Sequence, residues 1–184
     1  MRVIGTVNVL EDADLQRSMV RASWIILGVG ATAAFALWFA SLALGRNVTE
    51  PVGLGWALGL VAASVVALPV HELVHAAAFV ILGSSGVHVS FGIKDFMLYT
   101  SANGAVLPRG RFMAVLLAPS VVVTALFVLL AGCVWHAPLF ALLGAAFHLA
   151  GCTGDLDMVR IIALTPAATF VRDSPAGIDL LSEE

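Results

Sequence analysis

Residues 71–75 read HELVH, and they sit inside an otherwise apolar run. On a helix, positions four apart differ by about 40° in azimuth, so His71 and His75 share a face and can reach one metal ion. Glu72 lies about 100° round from His71, beside that ion rather than on it, where its carboxylate can take a proton from a water attacking a carbonyl. Residue frequencies in this chain predict roughly 0.004 chance occurrences of the pattern. Burial near the middle of a membrane helix costs an ionisable group about 3 kcal/mol, so such groups call for a partner or a function. The spacing fits a zinc hydrolase with one Zn2+ per chain.

A catalytic zinc usually has three protein ligands and an open position. The segment HLAGCTGDLD, residues 148–157, offers two acids, Asp155 and Asp157. At a rise of about 1.5 Å per residue from Gly53 and Pro138, the histidines and both acids fall at comparable depths, roughly 25–33 Å in. Gly151 and Gly154 mark a place where the helix can unwind, which favours Asp155 as the third ligand. Asp157, about 200° round, is expected to face away and pair with Arg160 at the i,i+3 spacing. His148, seven residues before Asp155, is an accessory candidate, either as a substrate-side or proton-relay group or as a hydrogen-bonded interhelical histidine. Tyr99 and Asn103 are accessory candidates for donation to an oxyanion. His88 and His136 read as surface residues, and Cys133 and Cys152 as small packing residues rather than a disulfide framework.

The elements that must position these groups are set by composition. The chain has 184 residues, 60% hydrophobic and 11% charged, with a mean hydropathy of +1.01. That is an integral membrane protein. Four windows are long enough to cross a hydrocarbon core: about Ser23–Leu44, Gly53–Leu82, Phe112–Trp135 and Pro138–Leu164. The second and fourth are too long for a simple upright span, and Pro69 frees the Val65 carbonyl in the second. The first is too long for a signal-peptide core and reads as a retained span. Of the nine basic residues, only Arg46 falls on the outer side, which places both termini in the cytoplasm and the chain in the cell membrane. A net charge of −3 gives no sign of nucleic-acid binding.

The expected architecture is one all-α multipass membrane domain over 1–184, with about four transmembrane helices and a small cytoplasmic β-hairpin. Residues 1–22 are a cytoplasmic lead-in with a brief strand at Val3–Val9, and 165–184 form a polar tail with a turn at 173–177. Between the second and third spans, 84–111, Val87, Val89, Phe91 and Ile93 alternate with polar or small residues as in a half-buried strand. Turns are expected at 94–95 and 101–104.

The segments HELVHAAAFVILG, FGIKDFMLYTSANGAVLPRGRF, LLAPSVVV and HLAGCTGDLDM resemble the DUF3267 family of membrane zincins over about residues 60–160. That family is in turn similar to the site-2 protease class of intramembrane metalloproteases. The resemblance implies a three-helix core in which His71, His75 and an acid of the last core helix hold the metal and Glu72 is the base. Site-2 proteases present that acid as LDG or PDG, whereas the order here is GDLD.

The leading expectation is a zinc-dependent endopeptidase that hydrolyses peptide bonds in or beside the membrane near its cytoplasmic face. Its partners would be membrane lipid and a peptide or transmembrane-protein substrate, held extended by the hairpin; the residues carry no signal of oligomeric state. Two rivals stand beside it: a metal-binding scaffold or transporter-like protein without hydrolysis, and a structural protein whose polar cluster only locks helices together.

Overall fold

The computed structural model describes residues 1–9, 11–45, 48–83, 87–94, 97–102, 104–174 and 177–183. The chain opens with strand β1 (Arg2–Asn8), and Asp12 then starts a long helix, α1 (Ala13–Ala43), by accepting from the amides of Asp14 and Leu15 at 2.9 and 3.0 Å. Helix α2 (Leu54–Leu82) carries HELVH and continues through Pro69. Strands β2 (Ser90–Lys94) and β3 (Met97–Ser101) form the expected antiparallel hairpin, with Lys94 opposite Met97. Helix α3 (Arg109–Leu126) follows strand β4 (Val106–Pro108) and runs on as a π-helical segment, Phe127–Val134.

The fourth apolar window is broken rather than straight. Helices α4 (Pro138–Gly151) and α5 (Thr153–Leu164) meet at Cys152 with a bend of 56°. Such a break leaves backbone carbonyls without helical partners, and the Ala150 carbonyl finds one in Ser23 of α1, whose hydroxyl donates to it at 2.7 Å. Three helical stretches are long and apolar enough to cross a membrane, or four if α4–α5 counts as one. Their outward faces expose large apolar side chains such as Trp24, Val29, Phe35, Val61 and Ile81.

The expectation of an all-α chain with one hairpin needs correction. The polar tail forms strands β5 (Phe170–Ser174) and β6 (Gly177–Ser182), and a four-stranded antiparallel sheet runs in the order β1-β6-β5-β4. Val171, Ile178 and Leu180 of this tail are buried together with Phe79 of α2 and Phe112 of α3, whose rings meet edge to face. Alternating apolar residues in a short, turn-bounded tail were the available sign of these strands. A second difference concerns β2, whose Phe91 and Ile93 are exposed, whereas its partner β3 lies against α2. Residues 95 and 175–176, at the centres of two expected turns, and Arg46 lie outside the described residues.

Packing of α4 depends on glycine. A Cβ on Gly30 of α1 would overlap the Ala146 methyl, and one on Gly144 would overlap the Phe127 ring. At the other end of the bundle, Glu50 joins the α1–α2 loop to α4. Its carboxylate accepts from the amides of Leu139 and Phe140 at 3.1 and 2.7 Å and from the Trp56 indole at 3.0 Å. These are donors that the start of α4 would otherwise leave unpaired. Burial pushes the Glu50 carboxyl up, but hydrogen bonds from its own amide, Trp56, Phe140 and Leu139 outweigh it and hold the group below its ordinary range.

Candidate metal centre

Helix α2 presents His71 and His75 from adjacent turns, their rings 4.7 Å apart. Asp155 arrives from the first turn of α5, where the positive end of the helix favours a carboxylate. A single oxygen of Asp155 lies 3.2 Å from His71 Nε2 and 3.4 Å from His75 Nε2. The three side chains are at most 14% exposed.

The hydrogen bonds behind the imidazoles decide what this convergence means. His75 Nδ1 lies 3.1 Å from the Val115 carbonyl, which only accepts, so Nδ1 carries a proton and a neutral ring turns the lone pair of Nε2 toward Asp155. His71 Nδ1 is likewise occupied by His148 Nε2 at 3.3 Å, and His148 Nδ1 by the Thr124 hydroxyl at 3.1 Å. Two lone pairs and a carboxylate oxygen facing one another repel unless a cation or protons lie among them. Two atoms bound tetrahedrally at about 2.0–2.1 Å from zinc lie about 3.3 Å apart, so the donor set fits that ion.

Glu72 lines the same cavity, of about 260 Å³, together with His71, His75, Asp155, Tyr99 and Thr100. Strand β3 is tied to the motif by the Thr100 hydroxyl, which donates to the Glu72 carbonyl at 3.0 Å. Its far end is tied to the sheet: Asp173 of β5 accepts from Ser101 Oγ and the Ala102 amide at 2.8 and 2.9 Å. A second, larger cavity of about 690 Å³ follows α2 from Trp56 and Leu60 past Ser64 and Leu68 and reaches His71 and Glu72.

The other expected residues fall as follows. Asp157 is not in the cluster, and it forms no ion pair with Arg160; its Oδ2 is buried without a hydrogen-bond partner. Tyr99 lines the cavity and packs over Gly92 of β2, while Asn103 lies outside the described residues. His148 is buried and bonded between helices, and His88 and His136 are exposed. Cys133 is exposed. Cys152 is fully buried at the helix break, with its sulfur 3.7 Å from His71 Nδ1. The packing reading missed that contact, although the spacing of His148 and Cys152, four apart on one helical face, was visible.

Apolar helices that bring two imidazoles and a carboxylate to one point, with a glutamate next to the first imidazole, define a zincin-like membrane-type protein. The chain belongs to the DUF3267 family, described as "putative zincin peptidase", whose family model matches residues 64–170, more than half of its length and every residue of the cluster. That membership points to a zinc metallopeptidase. No curated protein and no solved structure matches the chain.

Proposed function

We propose that this protein is a zinc-dependent endopeptidase that hydrolyses peptide bonds within or beside the cell membrane near its cytoplasmic face. The observation that carries the reading is the convergence of His71 Nε2 and His75 Nε2 on one oxygen of Asp155. These three residues would hold the metal. Zinc bound there supplies Lewis acidity toward a carbonyl and a water. Glu72 takes the proton of the attacking water and passes it to the departing amine. Tyr99, which lines the cavity, would donate to an oxyanion.

Peptide bonds in a helix are shielded, so a substrate must be held extended. The hairpin has two strands among the described residues, and β3 lines the cavity, where an extended substrate would lie along it as an added strand. The apolar cavity along α2 gives a membrane-embedded segment a route to Glu72. Strands from before α1, after α5 and between α2 and α3 share one sheet, so these parts lie on one side of a membrane. That arrangement favours four crossings with α4–α5 as one bent span, and eight of the nine basic residues put the sheet in the cytoplasm.

The test is turnover by purified protein. Wild type should carry about one zinc per chain and cleave a transmembrane-segment peptide, and Glu72→Gln should keep the zinc while losing activity by about 10²- to 10⁴-fold. Undiminished cleavage in Glu72→Gln would discard the mechanism; zinc without cleavage in either protein would leave a metal-binding scaffold.

A further inference from the structure

His71 has two nitrogens, and the zinc centre uses only Nε2. Its Nδ1 belongs to a second cluster with His148 Nε2 and Cys152 Sγ. The separations are 3.3 Å between the nitrogens, 3.7 Å from sulfur to His71 Nδ1 and 3.7 Å from sulfur to His148 Nε2. Zinc bound tetrahedrally at about 2.0 Å from nitrogen and about 2.3 Å from sulfur sets two nitrogens about 3.3 Å apart and nitrogen and sulfur about 3.5 Å apart. The three separations match that pattern to within about 0.2 Å, and because the sulfur lies 3.8 Å from His148 Nδ1 as well, the His148 ring must turn to aim Nε2 at a cation bound beside the sulfur.

The hydrogen bonding of His148 selects Nε2 as its donor atom. Its Nδ1 meets the Thr124 hydroxyl at 3.1 Å, and when Nδ1 donates to that oxygen Nε2 is left with a lone pair directed at the cluster. His148 and Cys152 sit four apart at the end of α4, where the helix break fixes the sulfur. His71 and His148 both line the larger cavity, which leaves room for a water or an incoming ion as the fourth ligand.

We infer that His71 Nδ1, His148 Nε2 and Cys152 Sγ form a second cation site, selective for thiolate-seeking divalent ions such as zinc, cadmium and cobalt, which shares His71 with the hydrolytic centre. Binding replaces the Cys152 thiol proton and the His71 Nδ1 proton, and both go to solvent as the cation takes their place. The chain then holds up to two cations, linked through one imidazole. The inference does not depend on Glu72 or on peptide hydrolysis.

Cobalt(II) titration of metal-free protein tests it, because a thiolate bound to cobalt gives a near-ultraviolet charge-transfer band that imidazole and carboxylate ligands do not. Wild type and Cys133→Ser should develop the band as two equivalents are added. Cys152→Ser and the smaller Cys152→Ala should bind one equivalent without it, and Asp155→Asn should retain it. A band that is absent from wild type at two equivalents, or that survives in either Cys152 variant, overturns the second site. Should both Cys152 variants fail to fold, the comparison of wild type with Cys133→Ser still decides, since loss of the band in Cys133→Ser would assign it to the exposed cysteine. Cleavage of peptides is untouched by this readout, so a failed peptidase assay with the band present refutes only the hydrolytic reading.

Discussion

The hydroxyl of Ser23 donates to the carbonyl of Ala150 at 2.7 Å and lies 3.0 Å from the Thr153 hydroxyl, so α1 is fastened at the bend between α4 and α5. That bend carries Asp155 to the histidines. Ser23→Ala should therefore weaken zinc binding although Ser23 touches no ligand. Loss of this bond is worth about 1 kcal/mol, and zinc affinity measured by chelator competition should fall several-fold.

Asp155 and Asp157 should behave in opposite ways. Asp155→Ala removes the oxygen shared by both imidazoles, and in a Cys152→Ala background, where the second cation site is gone, zinc content measured on the purified protein should fall to background. Asp157 has a buried oxygen with no partner, so Asp157→Asn should keep the metal and leave thermal stability unchanged or raised. Zinc lost only from the Asp157 variant would reverse the assignment of the third ligand.

His148 holds the back of the His71 ring at 3.3 Å. Removing a partner of this kind usually costs about 10- to 100-fold in metal affinity. His148→Leu should show that loss at the hydrolytic centre even in a Cys152→Ala background, where the second cation site is already gone. An unchanged affinity there would mean that the ring needs no such support.

Glu50 makes the loop between α1 and α2 sensitive to acid. Its carboxyl group is depressed in the folded protein, so its contribution is complete above the unfolded-state value and is lost as pH falls through the lower folded-state value. Melting temperature in detergent should drop on acidification below the ordinary carboxylate range, and Glu50→Gln should flatten that drop. At neutral pH, Glu50→Ala should cost about 1 kcal/mol, the usual worth of a capping group.

Gly144 lies under the Phe127 ring, and a branched side chain there forces α4 away from the π-helical segment. Gly144→Val should destabilise by about 1–3 kcal/mol. Thermal unfolding should report it, while Gly55→Val, at a position open to its surroundings, should change little.

Legibility from sequence followed the strength of each local signal. HELVH was readable because a helix converts a spacing of four directly into a shared face, and Asp155 because an acid in an apolar helix is costly without a purpose. The hairpin was readable from alternation and turn residues. The bend at Cys152 was only hinted at by Gly151 and Gly154, since glycine permits a break without requiring one. The pairing of Asp157 with Arg160 was read from i,i+3 spacing alone, and spacing brings two side chains within reach without making them meet. Strands β5 and β6 carry alternation as the hairpin does, but pairing of β6 with β1 is a long-range contact that no window of residues contains.

That pairing sets an order of assembly. Strand β1 leaves the ribosome before any helix, yet its neighbour in the sheet is β6, which follows all five. Throughout synthesis β1 waits with its hydrogen-bonding edge bare while the helices are laid down behind it. Closure of the sheet therefore comes after the ligand-bearing helices have been made. A nascent chain stalled between α5 and β6 would have its metal ligands without the strand that pairs with β1.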